Sequence, residues 1–466
     1  MKLLQDLIKN VNEFSEPALW TDKLSSISEE SKSIRKELDI GKYNIYGTNT
    51  LTGHRENEIV SEDQRLNYTR DLIRSHKIGG GPYYSKRVAR FITFTKIYSW
   101  SAGLTGVSPE LFKLVSKAAI DSKFSPKIPV GCSYSSGDVI PAAHWADEVI
   151  NRLENLDDYK ISSNDIMPLI NGNFIQVGYA ASLAYKIKNY WIYFVEISLL
   201  FQNISKANDS NLFYTPKQNN PSEWISQTMN YIKGGSTNKN KNKQDPVSFR
   251  ALPQLLETFC DAINGYFTEI NSLLDRPSGN PLFNKFNNYE PISQASFLAP
   301  TLAIRTSSLI ESVLFLMWAM VNRTNYLLSG QIEHIPRDAA SSKSRLGLIQ
   351  VPKLMMSILE NSRALYGQRA FSSGSQTSYG IEDLWTNGVI MVDHLSMLLK
   401  DFGKLCSYEL YVINYIAKNN NYNTFNDKSI MREISGCESA EEILNIMNEE
   451  NFHNFKFLSD IFILKI

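Results

Sequence analysis

The chain has 466 residues, 43% of them hydrophobic and 21% charged, which is enough for a large core and, at roughly 150 residues per domain, for up to about three domains. Lys plus Arg and Asp plus Glu both number 48, so there is no electrostatic footprint for nucleic acid or for an acidic membrane surface. The four cysteines, Cys132, Cys260, Cys406 and Cys437, stand far apart without a C-x-x-C pair; they supply neither a disulfide framework nor a zinc knuckle and fit a reducing cytoplasm.

From the N-terminus, residues 1–10 carry charges every few positions where a signal peptide needs an unbroken apolar core, and they read as an exposed amphipathic start. Helical periodicity recurs over residues 174–201, 252–274, 297–328, 346–365 and 381–418. Helices of about 30 residues span ~45 Å, and several of them separated by polar loops predict a mainly α protein built on a long-helix bundle. The most apolar run, residues 308–321, is broken by Glu311 and flanked by Arg305 and Arg323. It falls short of the ~18 apolar residues of a membrane span and predicts a buried helix.

Gly, Pro, Asn and Ser concentrate in loops at residues 79–82, 125–137, 208–221, 234–246 and 372–380. The Lys- and Asn-rich stretch 234–243 predicts a mobile, solvated loop. No repeat of 20 to 50 residues is present, which disfavours a solenoid. Gly79-Gly-Gly-Pro-Tyr-Tyr-Ser-Lys86 lacks the Gly-Lys-Ser/Thr ending of a phosphate loop. Cys132 and His144 have no second ligand pair nearby and read as a buried thiol and a helix-borne imidazole, not a metal site.

The segment that carries chemistry is Gly131-Cys-Ser-Tyr-Ser-Ser-Gly-Asp-Val-Ile-Pro-Ala-Ala-His144, a Gly- and Ser-rich turn running into a helix. Taken alone it is a Ser-Gly turn capped by Asp138. It also resembles the hallmark of the histidine and phenylalanine ammonia-lyase family, in which Ala-Ser-Gly followed by Asp cyclises unaided into a methylidene imidazolone. Ser135, Ser136, Gly137 and Asp138 occupy those places, with Ser135 where the family usually has Ala. The resemblance implies that the amide nitrogen of Gly137 attacks the carbonyl carbon of residue 135, in a compressed turn that a Cβ would obstruct, and that Ser136 loses its hydroxyl. The resulting methylene turns a poor amino leaving group into a good one, as covalent catalysis does generally.

Further landmarks of that family follow in order. Tyr46-Gly-Thr-Asn-Thr50 resembles the loop whose tyrosine takes the β-proton; with a reference pKa of ~10, the phenol must be activated by its site. Ser75-His76 followed by Gly79-Gly80-Gly81 is similar to the selectivity pair of histidine lyases, and the imidazole can hydrogen-bond a polar substrate ring; the plain alternative is a helix-end histidine offsetting the local dipole. Leu169-Ile-Asn171-Gly172 resembles the substrate-holding Asn-Gly motif. Gln244-Asp-Pro-Val-Ser-Phe-Arg250-Ala-Leu-Pro-Gln254 keeps the family's Gln and its carboxylate-binding Arg, whose fork of donors suits that task, but has Val247 for the family's tyrosine. Ser296-Phe297-Leu298 keeps only the phenylalanine of Asn-Phe-His. Glu382 stands where histidine lyases place a glutamate facing the substrate ring or amine; alternatively it is a first-turn acid of a helix over residues 382–418.

The resemblance covers about residues 40–400. It implies an N-terminal portion, residues 1–175, holding the turn, and a bundle with C-terminal helices at 176–466, without a shield insertion. It also implies a cytoplasmic homotetramer whose active sites draw loops from three subunits, a methylidene imidazolone made from residues 135–137, and no metal or nucleotide. The expected activity is a carbon–nitrogen lyase acting on a histidine-like or aromatic L-amino acid. A 2,3-aminomutase is the alternative, as is a homologue that keeps the turn uncyclised and binds or converts another small molecule. Nucleic acid and membrane are not expected partners.

Overall fold

The computed structural model describes residues 1–214, 223–236, 244–342, 344–367, 376–419, 430–448 and 456–464. In chain order the helices are α1 (Lys2–Glu13), α2 (Ala18–Asp39), α3 (Glu62–His76), α4 (Lys86–Ser101), α5 (Pro109–Ala119), α6 (Val139–Leu156), α7 (Ile166–Ile170), α8 (Phe174–Ser182), α9 (Ala184–Ser205), α10 (Glu223–Gly235), α11 (Val247–Arg250) and α12 (Leu252–Leu273). After a short antiparallel pair, β1 (Leu282–Asn284) with β2 (Glu290–Ile292), come α13 (Pro300–Leu327), α14 (Val351–Tyr366), α15 (Gly388–Asn419), α16 (Ile430–Ile434), α17 (Ala440–Asn448) and α18 (Lys456–Ile461). The mainly α class expected from periodicity is what the chain adopts.

Local chemistry explains where several elements begin. The Ser108 hydroxyl accepts from the Leu111 N–H at 3.2 Å, Pro109 follows it, Glu110 lies in the first turn and Lys117 in the last, so α5 is capped and charged at both ends. Pro352 in the first turn of α14 fixes a start at Val351 rather than at residue 346. The run 174–201 divides at Leu183 into α8 and α9. Helix α15 starts at Gly388, not at 382: Thr377 and Glu382 pair as an antiparallel bridge, and the Asn387 N–H donates to the Tyr134 carbonyl, which holds the intervening backbone out of helical geometry.

One expectation is overturned at the N-terminus. α1 is amphipathic but not an exposed start: Leu4, Leu7, Ile8 and Val11 are all buried, and the helix packs on α4 and α12. Of the loops read from composition, residues 215–221, 237–243 and 372–375 lie outside the described residues, including most of the Lys- and Asn-rich stretch.

Two packing features give the site its frame. α4 and α8 cross closely because residue 178 is glycine: a Cβ there would lie 2.6 Å from the Ile92 Cα. α13 runs 28 residues and α15 32, and they are pinned by a buried ion pair in which Arg323 Nε and Nη2 donate to Glu409 at 2.5 and 2.7 Å. Arg323 also reaches Ser198 on α9 and lies over the rings of Phe194 and Phe201. By length and composition α13 is the one described helix that could cross a membrane, but 61% of its most apolar window is buried, against α12, α14 and α15.

Candidate active site

The turn at residues 133–138 enters α6 through a run of left-handed backbone: φ is 64° at Ser135, 81° at Gly137 and 50° at Asp138. Such angles cost about 1–2 kcal/mol at a non-glycine residue, so the surroundings must hold them. The Ser133 hydroxyl accepts from the Ser135 N–H at 2.9 Å and donates to Asp138 Oδ1, while Asp138 Oδ2 accepts from the Gln176 N–H of α8 at 3.3 Å. The Ser135 Oγ accepts from the Val389 N–H of α15 at 2.8 Å, and the Ser135 carbonyl accepts a long bond, 3.5 Å, from the Thr386 hydroxyl. Asp138 occupies the N-cap position of α6 but its side chain does not cap the helix; its carboxylate closes the turn instead. Burial pushes that carboxyl up to about 6, against the opposing donors Ser133, Gln176 N–H and Ser135.

A Cβ does not obstruct the turn at Gly137 by contact. It would meet Asn171 Nδ2 at 3.5 Å and Phe297 Cδ2 at 3.8 Å, ordinary van der Waals distances. The glycine is required by its positive φ. The same distances bring Asn171 and Phe297 against the turn. Asn171 Oδ1 is buried without a hydrogen-bond partner among the described residues, an orphaned acceptor of the kind found at binding sites.

The segments that carry Tyr46 and Glu382 pack on each other through residues 53–54 and 378–379. Asn49 Oδ1 accepts from the Ile45 N–H at 2.6 Å and its amide donates to the Tyr43 carbonyl, closing the loop that carries Tyr46. The Tyr46 oxygen accepts from the Gly53 N–H at 2.9 Å. The His54 and Tyr379 rings stand 4.6 Å apart. Burial, with Glu382 nearby as a lesser cause, pushes the Tyr46 phenol up although the Gly53 N–H opposes it. The neighbours within this chain therefore do not supply the activation asked of them. Glu382 is not a first-turn acid, because α15 begins only at Gly388; its carboxylate accepts from the Tyr134 and Thr377 hydroxyls, each at 2.7 Å.

Ser75 and His76 end α3. The Ser75 hydroxyl donates to the Leu72 carbonyl, and His76 Nδ1 lies 2.7 Å from that same oxygen and so carries its proton there. Of the following glycines, Gly79 lies beside Cys132, just ahead of the turn: a Cβ on it would sit 3.2 Å from Cys132 Sγ. Cys132 is half-buried, not buried, and His144 on α6 bonds the Ile78 carbonyl through Nε2 at 2.9 Å. The Gln244 amide lies against the Arg250 guanidinium; with the amide turned so that its oxygen faces the guanidinium, that oxygen accepts from both terminal nitrogens at 3.1 and 3.2 Å. Both are exposed, and no hydrogen bond or ion pair among the described residues joins them to the turn.

Sequence reading missed Ser133, Tyr134, Thr377 and Thr386, all of which contact the turn or Glu382, and Lys96. The Lys96 amine is buried, donates to the Asn171 carbonyl at 2.8 Å and lies 4.3 Å over the Phe174 ring; burial holds it well below the usual lysine range. Ser133 and Tyr134 lie inside the segment already singled out. Their partners at 138, 377 and 382 give no periodic signal.

Fold and site together define a mainly α protein whose candidate site is a left-handed Ser-Ser-Gly-Asp turn held between α6, α8 and α15. The model of the aromatic amino acid lyase family matches residues 4–421, and the chain belongs to that family of ammonia-lyase-like enzymes. It is 23% identical over 411 residues to a probable histidine ammonia-lyase of Thermoplasma acidophilum, covering 82% of this chain and 81% of that protein. Its fold is that of the ergothioneine-degrading enzyme of Treponema denticola (TM-score 0.83, 16% identity, 99% and 98% of the two chains). It is equally that of the phenylalanine aminomutase of Pantoea agglomerans (TM-score 0.82, 17% identity, 95% and 92%).

Proposed function

We propose that the chain eliminates ammonia from a histidine-like or aromatic L-amino acid, with an electrophile made from Ser135, Ser136 and Gly137. The observation that carries this reading is the left-handed turn held at both ends by Ser133, Asp138, Thr386 and Val389. The residues fit a cyclised group: Gly137 already has the φ of a compressed turn, and the orphaned Asn171 Oδ1 lies in the side chain packed beside it. In the cyclisation the Gly137 nitrogen bonds to the Ser135 carbonyl carbon, whose oxygen leaves as water with the amide hydrogens of Ser136 and Gly137. Ser136 then gives up its hydroxyl and α-hydrogen as a second water. Once formed, the methylidene imidazolone supplies an electrophilic carbon that makes the substrate's amino group a leaving group.

In this reading Tyr46 takes the β-proton, Asn171 and Arg250 hold the carboxylate, Ser75, His76 and Glu382 read the ring, and Gln244 and Phe297 complete the wall. Arg250 and Gln244 are exposed, and no hydrogen bond or ion pair among the described residues joins them to the turn of their own chain, so in this reading another copy supplies them. The exposed Phe315 and Trp318 on α13 support such packing, which we take to be a homotetramer. A cation from that copy is also what Tyr46 lacks.

The test is the intact mass of the purified protein beside an S136A control. A loss of two waters in the wild type alone supports the electrophile; product analysis then separates an unsaturated acid from a β-amino acid, the aminomutase outcome. An unmodified mass removes the mechanism and leaves the second reading, an uncyclised turn serving another small molecule. The departures from the family pattern at Ser135, Val247, Ser296 and Leu298 motivate that alternative.

A further inference from the structure

Tyr134, the residue just before the reactive turn, is held from several sides. Its ring meets the edge of Trp385 at 5.2 Å and 71°, its carbonyl accepts from the Asn387 N–H at 3.0 Å, and its hydroxyl donates to Glu382 Oε2 at 2.7 Å. The Thr377 hydroxyl donates to the same oxygen at 2.7 Å and stands 2.9 Å from the phenol. An ionised carboxylate has two acceptor oxygens and no donor. Oε2 therefore accepts twice, while Oε1 accepts no hydrogen bond among the described residues. Burial, with Glu382 adding to it, pushes the phenol up to about 12, so it remains a donor across the physiological range.

We propose that Tyr134 is a positioning residue for substrate selection: with Thr377 it saturates one oxygen of Glu382 and fixes the other as a single acceptor, which selects an amino acid whose ring carries an N–H or O–H donor over one with a bare hydrocarbon ring. The inference rests on Glu382 facing the substrate ring. A half-buried acceptor built to receive a hydrogen bond is left unpaired by an analogue lacking the donor, and that penalty is the source of selectivity. Without the phenol only the exposed Thr377 hydroxyl restrains the carboxylate about its broad terminal torsion, and the acceptor is held less firmly.

The experiment measures binding of L-histidine, L-tyrosine and L-phenylalanine by calorimetry to full-length S136A protein, which cannot form the electrophile and so cannot turn them over. A ring-donor amino acid should bind about tenfold or more tighter than phenylalanine, and Y134F on that background should bring the ratio close to one. E382Q should do likewise, and Y134F with E382Q together should add nothing further, because the phenol acts through the carboxylate. T377V, which keeps every ring in place, should lower the ratio in the same direction and serves if Y134F does not fold. An undiminished ratio in Y134F or T377V, additive effects in the double variant, no preference in the S136A protein, or no binding of any of the three overturns the proposal. The lyase reading is decided separately, by the intact mass of the wild type.

Discussion

The Ser135 hydroxyl accepts a hydrogen bond from the backbone N–H of Val389 at 2.8 Å across 254 positions of sequence. A side chain of the reactive turn thus satisfies one of the donors at the start of α15 that no helical carbonyl can reach. S135A leaves that buried N–H without its acceptor, and the expected cost is about 1–3 kcal/mol, read as a lower urea midpoint. Because the side chain lies outside the ring, S135A should still lose two waters in the intact mass; retention of both would show that the hydroxyl takes part in cyclisation.

Asp138 sets a pH dependence of known sign. Its carboxyl is raised from 3.8 to about 6 by burial, so between those values the folded chain holds a proton that the unfolded chain has released. Stability contributed by this group therefore falls as pH rises from about 4 to 6, by roughly 3 kcal/mol at most. The difference between wild type and D138N, followed by urea denaturation across that window, should show the wild type losing stability relative to the variant. A constant difference would mean the carboxyl titrates normally.

Arg323 and Glu409 form the buried pair that ties α13 to α15, with side chains 3% and 0% exposed. R323M keeps the bulk but leaves the carboxylate unpaired, a loss of about 3–5 kcal/mol. Burial already raises Glu409, with Arg323 opposing it. The destabilisation should therefore be smaller near pH 5, where the carboxyl can take up a proton, than near pH 8. Equal losses at both values would place the cost in packing.

Val247 is 67% exposed, so V247Y should change stability by no more than about 0.5 kcal/mol. If the hydroxyl that the family carries there limits turnover, V247Y should raise kcat on at least one amino acid of a panel. Unchanged kinetics on every substrate would show that position 247 is not limiting in this chain.

The sequence by itself determined the fold class and the family resemblance. Periodic apolar positions along α12, α13 and α15 and the order of the Tyr46, Ser135, Asn171, Arg250 and Glu382 motifs are one-dimensional properties, readable because each helix face and each tight turn constrains nearby residues. Tertiary structure decided the rest. That α1 docks its apolar face on α4 and α12, that Asp138 accepts from the Gln176 N–H of α8, and that Glu382 accepts from the Tyr134 hydroxyl all depend on contacts between residues far apart in sequence. Such contacts are fixed by the packing of whole helices, and no local pattern of residue types records them.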